Sequence, residues 1–270
     1  MNSSSYFCLL WCMQIILESL PISSSGHIKI INMLIARVTK HTPLTISSGV
    51  DHIMHIPTIF ISFLFLMKHG MLNVIFDTPT TVFQWIVAII IANSITAFFY
   101  MLIKIKNIAP WHTHIGFILS ACALLSLYLA PGGTKTVISY SDAIVIGIAQ
   151  SFALLPGISR LGLTFSAGVW LGLLPTLSLM FSLMLELFLA VPAIALALYK
   201  NKFNLSPFYH LRLADYTAIG VSSLIAYAAL ELLYRAAEYG LMNMFGWYLL
   251  ALGIFLKVLF LRINSYDREI

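Results

Sequence analysis

Two short polar segments interrupt an otherwise apolar sequence, and the first carries groups suited to acid–base chemistry. It is Leu20–His27 (LPISSSGH), with Glu18 just before it and Gln14 four residues earlier, on the same helix face. Its hydroxyl and imidazole side chains are Ser23, Ser24, Ser25 and His27. A carboxylate, a histidine and hydroxyls offer a base, an acid and a nucleophile, and carboxylate and other oxygen donors could also hold Mg²⁺ or Ca²⁺.

The second polar segment, Leu154–Gly162 (LLPGISRLG), has the composition of an anion-binding loop. Gly157 permits a tight turn and a close approach of the backbone, and the half-helix that follows points its free amides at whatever binds. Arg160 adds a planar set of donors that matches phosphate oxygens, and Ser159 and Thr164 add hydroxyls. These residues predict a cradle for a phosphate or a diphosphate.

Three charged residues lie in apolar surroundings, where an ionised side chain is costly. At the centre of a membrane the cost is roughly 2.5–3.5 kcal/mol on insertion scales, so such residues usually serve a function. Glu18 and Arg160 each lie in or beside one of the polar segments. Since opposite charges would offset one another, a structural ion pair is the alternative interpretation. The sequence reveals no role for Glu186.

The composition determines the surroundings in which these residues must be positioned. Of the 270 residues, 60% are hydrophobic and 9% are charged, whereas soluble domains carry about 25% charged residues. A soluble fold of this size could not bury so much apolar surface. The sequence therefore predicts an all-α integral membrane protein with about six transmembrane helices. The candidate spans are residues 53–68, 78–103, 112–131, 173–199, 213–234 and 240–261.

The net charge of +5 does not indicate a nucleic-acid partner, because most basic residues are scattered at the ends of apolar segments. Cys8 and Cys12 lie one helical turn apart in an apolar run, where they are better interpreted as buried free thiols than as a metal pair. Membrane lipids are therefore the expected surroundings. The sequence leaves open whether the protein forms a homodimer.

Residues 5–38 and 143–172 are apolar but are broken near the middle by the two polar segments. Each half is too short to cross a membrane comfortably, so each region is predicted to be a re-entrant helix–loop–helix hairpin. Irregular backbone at membrane depth is tolerated only when it is buried in protein or lines a wet cavity. The hairpins therefore mark the predicted site within a single membrane domain, residues 1–270.

The basic residues predict that the two halves of this domain are inverted copies. If the first hairpin enters from the cytoplasm and the second from outside, most basic residues face the cytoplasm, as the positive-inside rule requires. Aligning Pro21 with Pro156 also places Ser24 opposite Ser159. Such an inverted repeat is typical of transporters. The predicted cytoplasmic residues are Arg37, Lys40, Lys104, Lys106, Lys200, Lys202, Arg212, Arg262 and Arg268, and the outside ones are Lys68, Lys135 and Arg235.

Together the two motifs resemble those of the bacterial undecaprenyl-diphosphatase family of the bacitracin-resistance type. QIILESLPISSSGH (Gln14–His27) is similar to the family's Glu/Gln-x-x-x-Glu motif with its serine-rich loop and histidine. PGISRLGLT (Pro156–Thr164) is similar to its Pro-Gly-x-Ser-Arg-Ser-x-x-Thr motif, and Asp142–Arg160 to the run that enters it. Asp51 and His55 resemble a weaker Asp-x-x-x-His element, so the resemblance extends over nearly the whole chain.

The resemblance implies hydrolysis of undecaprenyl diphosphate to undecaprenyl phosphate and inorganic phosphate in the bacterial inner membrane. That reaction recycles the lipid carrier of cell-wall synthesis and confers bacitracin resistance. The resemblance also implies a catalytic pocket that opens to the periplasm, with the polyprenyl tail in the lipid.

Roles for individual residues follow from the same resemblance. Glu18 and Gln14 would support binding of a divalent cation, Mg²⁺ or Ca²⁺, or proton transfer. Ser24 or His27 would be the nucleophile or its acid–base partner, and the family's mechanism leaves that choice open. Arg160 would act in catalysis as well as in binding. The residues that would hold the diphosphate are Ser23, Ser25, Gly157, Ser159, Arg160 and Thr164.

The sequence departs from the family pattern at three positions. Leu161 stands where the family usually has serine, which removes a hydroxyl from the predicted cradle. Gln14 is the neutral alternative to glutamate, which weakens a two-carboxylate metal site, and Pro57 stands where glycine is common. Leu161 also makes an inactive relative with the same fold conceivable.

Two other functional classes share parts of this pattern. A polyprenyl-phosphate transporter or flippase could use the inverted repeat and the anion cradle, but it would not need the acid–base pair of Glu18 and His27. The membrane acid-phosphatase class shares the tetrapeptide SSGH. It also needs a histidine a few residues after Ser-Arg, whereas the first histidine after Arg160 is His210, and the chain contains no Arg-Pro. That class is therefore excluded.

Overall fold

The structure is a computed structural model that describes residues 3–39, 44, 48–75, 77–106, 112–200 and 211–266. Three of the basic residues used above to orient the chain, Lys40, Lys202 and Arg268, lie outside the described residues. Within these ranges the chain is helical, and the extended pairing found there is one isolated bridge between Lys135 and Leu173. The prediction of an all-α protein is therefore confirmed for the described part of the chain.

The helices follow the apolar runs of the sequence. In chain order they are α1 (Ser3–Glu18), α2 (Ser24–Thr39), α3 (Ser48–Met54), α4 (Ile56–Lys68), α5 (Met71–Ile75), α6 (Pro79–Lys106), α7 (Thr113–Leu125), α8 (Tyr140–Phe152), α9 (Arg160–Trp170), α10 (Pro175–Lys200), α11 (Leu213–Glu238) and α12 (Asn243–Tyr266). A short 3-10 helix, Ser126–Leu129, extends α7.

Both predicted interruptions are real breaks between helices. The first break lies between the end of α1 at Glu18 and the start of α2 at Ser24. The second separates α8, which ends at Phe152, from α9, which begins at Arg160. A third break divides α3 from α4 at His55, and Pro57 lies in the first turn of α4. Proline is tolerated at that position because the first amides of a helix have no intrahelical partner.

Four helical segments are long and apolar enough to cross a membrane. They are Gly49–Lys68, Pro79–Ile105, Pro175–Lys200 and Leu213–Glu238. The two remaining predicted spans, residues 112–131 and 240–261, correspond to the shorter apolar segment Thr113–Leu129 and to the apolar part of α12, Asn243–Leu259. The prediction of a multi-pass membrane protein is thus supported, while the number of full-length spans among the described residues is four by this measure.

The helix contacts come in matched pairs, in which each contact has a counterpart with the two halves of the chain exchanged. α1 packs along α11 and α8 packs along α6, so that each hairpin lies against a long helix of the other half. Likewise α4 contacts α11, and α10 contacts α6. The α7–α12 pair joins corresponding helices of the two halves, as does the α4–α10 pair.

One helix, α7, supports the turns of both hairpins. A side chain at Gly26, in the first hairpin, would collide with the ring of Phe117, which is fully buried. A side chain at Gly157, in the second, would collide with the carbonyl oxygen of Thr113. From the other side, a side chain at Gly116 would collide with the carbonyl oxygen of Pro156. These glycines are therefore required for both turns to lie directly on α7.

Candidate active site

A cavity of about 540 Å³ lies where the two hairpins meet. It is lined by residues of α1, α2, α3, α6, α8, α9 and α10 and of both turns. Its charged lining side chains are Glu18, Lys29, Asp51, Arg160 and Glu186, and His55 lies among them. Apolar lining residues include Leu17, Ile28, Leu154, Ile158 and Leu189. The cavity therefore offers both a polar site and an apolar wall.

Arg160 forms the centre of the polar site. One terminal nitrogen of its guanidinium lies 2.8 Å from Oε1 of Glu18 and 2.9 Å from Oε1 of Glu186. Both carboxylates are buried, with exposed side-chain fractions of 9% and 5%. The first residue of α9 thus joins the last residue of α1 to the middle of α10.

Glu18 collects further partners from the first half of the chain. The hydroxyl of Ser24, at the start of α2, donates to Oε2 of Glu18, and the amide of Gln14 donates to the same oxygen over 3.2 Å. Nδ1 of His55 lies 3.9 Å from Oε1 of Glu18, and its Nε2 lies 3.4 Å from the Gln14 amide. The predicted pair of Gln14 and Glu18 on one helix face is therefore present.

Ser23 has a strained backbone and a hydroxyl without a hydrogen-bond partner. Its φ of 65° is the one positive φ of a non-glycine residue within the described ranges. Such a conformation costs about 1–3 kcal/mol and is found most often at functional sites. Ser23 lines the cavity, and its hydroxyl oxygen is buried and unpaired. Ser25 lines the same cavity and is exposed. Both serines can therefore donate to a bound anion.

The second turn is shaped by Ser159 and Gly157. The hydroxyl of Ser159 accepts from the amide of Gly162 over 3.1 Å and caps α9, while its own amide donates to Oγ of Ser120 on α7 over 2.8 Å. Gly157 has a φ of 84°, which favours glycine. Ser159 lines the cavity but has its hydroxyl engaged, and Gly157 lies beside α7, outside the cavity lining.

Thr164 and Leu161 have structural surroundings. The Thr164 side chain is fully buried and donates to the carbonyl oxygen of Arg160 over 2.9 Å. It is not among the cavity-lining residues, so its hydroxyl supports the first turn of α9 and does not face the site. Leu161, at the position of the family's serine, is buried and contributes to the apolar wall.

His27 is turned away from Glu18 and Arg160. Its Nδ1 lies 2.8 Å from the carbonyl oxygen of Ser23, and its Nε2 lies 2.8 Å from the hydroxyl of Tyr248 on α12. Its ring packs edge-on against Phe117, at a centroid distance of 4.9 Å. Since Nδ1 faces a carbonyl it must be the donor, and in that tautomer Nε2 accepts from Tyr248. His27 is buried and does not line the cavity.

The structure adds residues to the site that the sequence did not assign. Glu186 has its place beside Arg160, and Lys29 lines the cavity one helical turn beyond Ser25. Thr96 and Gln150 line it from α6 and α8 and are joined by a 2.8 Å hydrogen bond. The sequence contained a signal for Glu186, because a charged residue in an apolar run is costly. It contained no comparable signal for Lys29, a single lysine on α2.

The charges around the cavity determine how a metal ion could be held. Among the described residues, no group of three or more histidine, cysteine, aspartate or glutamate side chains is placed to hold one. The lining contains three carboxyl groups, of Glu18, Asp51 and Glu186, and two fixed cations, Lys29 and Arg160. Carboxylate and amide oxygens such as those of Glu18 and Gln14 are of the kind that Mg²⁺ and Ca²⁺ accept, but the described residues do not form a metal cage made by protein alone.

Comparison with known proteins extends over almost the whole chain. The family model described as "Bacitracin resistance protein BacA" matches residues 8–255. The chain is 30% identical over 255 residues to an undecaprenyl-diphosphatase of Thermodesulfovibrio yellowstonii, an alignment that covers 93% of this chain and 96% of the relative. It is 30% identical over 281 residues to one of Maricaulis maris, with 94% and 98% covered, and 30% identical over 265 residues to one of Trichodesmium erythraeum, with 93% and 84% covered.

Proposed function

The chain belongs to the bacitracin resistance protein BacA family, and from this and the geometry of the cavity we propose that it is an undecaprenyl-diphosphatase. The reaction converts undecaprenyl diphosphate and water into undecaprenyl phosphate and inorganic phosphate. The observation that carries the proposal is the convergence of Arg160, Glu18 and Ser24 from two separate turns on one cavity.

The diphosphate binds with its terminal phosphate near Arg160. The guanidinium offers donors in a planar array that matches phosphate oxygens, and the unpaired hydroxyl of Ser23 adds a donor beside it. In phosphoryl transfer most of the catalysis comes from positioning and from fixed positive charge near the equatorial oxygens. Among the described lining residues, Arg160 is the less exposed of the two fixed cations and contacts the carboxylate that Ser24 donates to.

Ser24 is the proposed nucleophile, because its hydroxyl lines the cavity and already donates to Glu18. Its oxygen attacks the terminal phosphorus, and its proton passes to the Glu18 carboxylate. The bond from phosphorus to the bridging oxygen breaks, and undecaprenyl phosphate leaves. Glu18 then gives that proton to the departing undecaprenyl phosphate. Water attacks the phosphoserine and passes a proton to Glu18, which transfers it to the Ser24 oxygen as the bond from phosphorus to that oxygen breaks, so that inorganic phosphate leaves and Ser24 is restored.

His27 has a positioning role in this proposal. Its bonds to the Ser23 carbonyl and to Tyr248 hold the serine-rich turn against α12, outside the cavity. The divalent cation remains a prediction. When bound, it would neutralise charge on the diphosphate, with Glu18 and the neighbouring Gln14 as the residues that would hold it.

The membrane arrangement of the fold is part of the same proposal. We infer that the α1–α2 and α8–α9 hairpins are re-entrant and that the two halves are inverted in the bacterial inner membrane. The exchange-related packing of the helices supports this inference. The apolar wall of the cavity, including Leu154 and Leu189, provides a path for the polyprenyl chain towards lipid. The expected physiological roles are recycling of the cell-wall lipid carrier and resistance to bacitracin.

Phosphate release from undecaprenyl diphosphate by the detergent-purified protein tests the proposal, with Arg160→Ala and Arg160→Lys beside the parent protein. We expect Arg160→Ala to lose at least a hundredfold in kcat/KM, the range for a group that stabilises transition-state charge. Arg160→Lys should also be impaired, because a point charge does not reproduce the planar donor array.

Two results would contradict the proposal. Near-normal turnover by Arg160→Ala would remove Arg160 from the site. A folded parent protein that binds the lipid but releases no phosphate would favour the transporter function, which needs the anion cradle without hydrolysis.

A further inference from the structure

The charge of Arg160 is already compensated before substrate arrives. Its terminal nitrogen contacts Glu18 and Glu186 at 2.8 and 2.9 Å, and both carboxylates belong to the cavity lining. A diphosphate that approaches this guanidinium therefore competes with two buried acceptors. A second cation that is free of such partners would make binding of the diphosphate easier to explain.

Lys29 is that cation. It lines the same cavity, is exposed, and forms no ion pair with any of the described residues. It follows Ser25 by four residues on α2, so that both side chains lie on one helix face, and both line the cavity. The hydroxyls of the first turn of α2 and the ammonium of the second therefore face the same volume.

Lys29 and the Arg160 cluster differ in how exposed they are. The side chains of Glu18 and Glu186, beside Arg160, are almost completely buried, whereas Lys29 is exposed. The terminal phosphate must reach Ser24 and Arg160 at the buried end. The phosphate next to the lipid chain then remains nearer the mouth, on the side of Lys29.

We propose that Lys29 binds the lipid-side phosphate of the diphosphate, the group that stays on the product. The inference rests on the proposed function and adds a second phosphate subsite to it. Since the lipid monophosphate keeps this phosphate, Lys29 binds product as well as substrate. Inorganic phosphate leaves from the other subsite and does not depend on Lys29. The plainer alternative is a solvated lysine whose stem covers apolar surface.

The test uses Lys29→Gln and Lys29→Arg, with Lys104→Gln as the matched control. Lys104 is exposed at the end of α6 and lies outside the cavity lining, so its variant makes the same change in net charge away from the site. For each protein the KM for undecaprenyl diphosphate is measured, together with the inhibition constants of undecaprenyl phosphate and of inorganic phosphate.

We expect Lys29→Gln to raise both the KM and the inhibition constant of undecaprenyl phosphate about tenfold, the effect of one charge-assisted hydrogen bond. The inhibition constant of inorganic phosphate should stay that of the parent protein. Lys29→Arg should restore most of the lost affinity, because it keeps the charge at the same position, and Lys104→Gln should match the parent protein.

The proposal is overturned if Lys29→Gln behaves like Lys104→Gln, or if inhibition by inorganic phosphate weakens as much as inhibition by the lipid monophosphate. A parent protein without phosphatase activity would contradict the proposed function instead. In that case direct binding of undecaprenyl phosphate to the parent protein and to Lys29→Gln decides the role of Lys29, and equal affinities overturn it.

Discussion

Arg160 is held by carboxylates from two different helices, and these contacts bear on two interpretations that the sequence left open. A structural ion pair and a functional arginine were alternative interpretations of Glu18 and Arg160. The pair is present at 2.8 Å, but it lies in the wall of a cavity together with Glu186. A buried ion pair is weak evidence for stability, so the position of this pair at a cavity is consistent with the proposed function as well as with a structural role.

Ser24 is expected to be essential for turnover because it is the hydroxyl that donates to Glu18. Ser24→Ala should lower kcat by a factor of about 100 to 10,000, the range attributed to a positioned proton-transfer partner, and by more if the nucleophile is lost. Steady-state phosphate release checks this. Ser25→Ala is the comparison, since Ser25 lines the same cavity and should affect KM more than kcat.

An equal loss in both serine variants would argue against a special role for Ser24. A Ser24→Ala protein that keeps its kcat while His27→Ala loses it would make His27 the nucleophile. It would then require His27 to leave Tyr248 during the reaction.

The sequence revealed the site residues whose signal is local. A carboxylate and an arginine in apolar runs, each next to a proline- and glycine-containing break, predicted Glu18 and Arg160, and the structure brings both into the wall of one cavity. The orientation of His27 was not predictable, because it depends on Tyr248, which lies 221 residues further along the chain. Thr164 was assigned by its place in a motif, yet its hydroxyl bonds to its own helix.

At the scale of the elements, α7 aligns both active-site turns. The ring of Phe117 contacts the first turn, and Ser120 accepts a hydrogen bond from the second. Since each turn carries part of the chemistry, a small shift of either one on α7 changes the distance between Glu18 and Arg160. A catalytic arrangement of this kind loses activity for displacements on the order of 1 Å.

Gly157→Ala should therefore damage both stability and activity. Its positive φ and the nearby carbonyl oxygen of Thr113 leave no room for a methyl group, so a cost of about 1–3 kcal/mol is expected. The measurements are the thermal midpoint in detergent and the rate of phosphate release. Gly220→Ala is the control, because a methyl group there meets no atom within 4 Å on α11 and should leave both quantities near those of the parent protein.

A Gly157→Ala protein with the parent's melting temperature and rate would show that the second turn does not depend on its close approach to α7.

The breaks between the helices were easier to predict than their lengths. Proline, glycine and serine clusters indicated both hairpins because these residues disfavour a continuous helix. Hydropathy predicted a continuous span over residues 112–131, whereas the α-helix found there, α7, ends at Leu125 and continues as the 3-10 helix Ser126–Leu129. The division at His55 was not predicted, although Pro57 provided a local signal for it.

At the scale of the whole molecule, two halves with related packing contribute different chemistry. The turn of the first half carries the carboxylate and the hydroxyls, while that of the second carries the arginine. The matched contacts of the two halves depend on packing between residues far apart in the chain. The weak sequence similarity around Pro21 and Pro156 could only suggest this arrangement. One site therefore requires both halves.

The charge of the assembled cavity predicts that activity depends on a divalent cation. The Glu18 carboxylate already offsets the charge of Arg160, so added positive charge would favour binding of a diphosphate beside it. Phosphate release should fall at least tenfold in a chelator and recover when Mg²⁺ or Ca²⁺ is restored. The thermal midpoint should change little, because the protein alone does not supply a metal cage within its described residues.

Full activity in the chelator would exclude this role for the cation and leave Glu18 with proton transfer alone.

The pairing of Glu18 with Arg160 also has a consequence for how the protein is made. The two residues are 142 positions apart, so at about 5–20 residues per second Glu18 leaves the ribosome roughly 7–28 s before its partner. During that interval the first hairpin carries a charge that lipid does not accommodate. The ion pair that offsets this charge can form only after Arg160 has been synthesised, so the site is completed well after the first hairpin has been made.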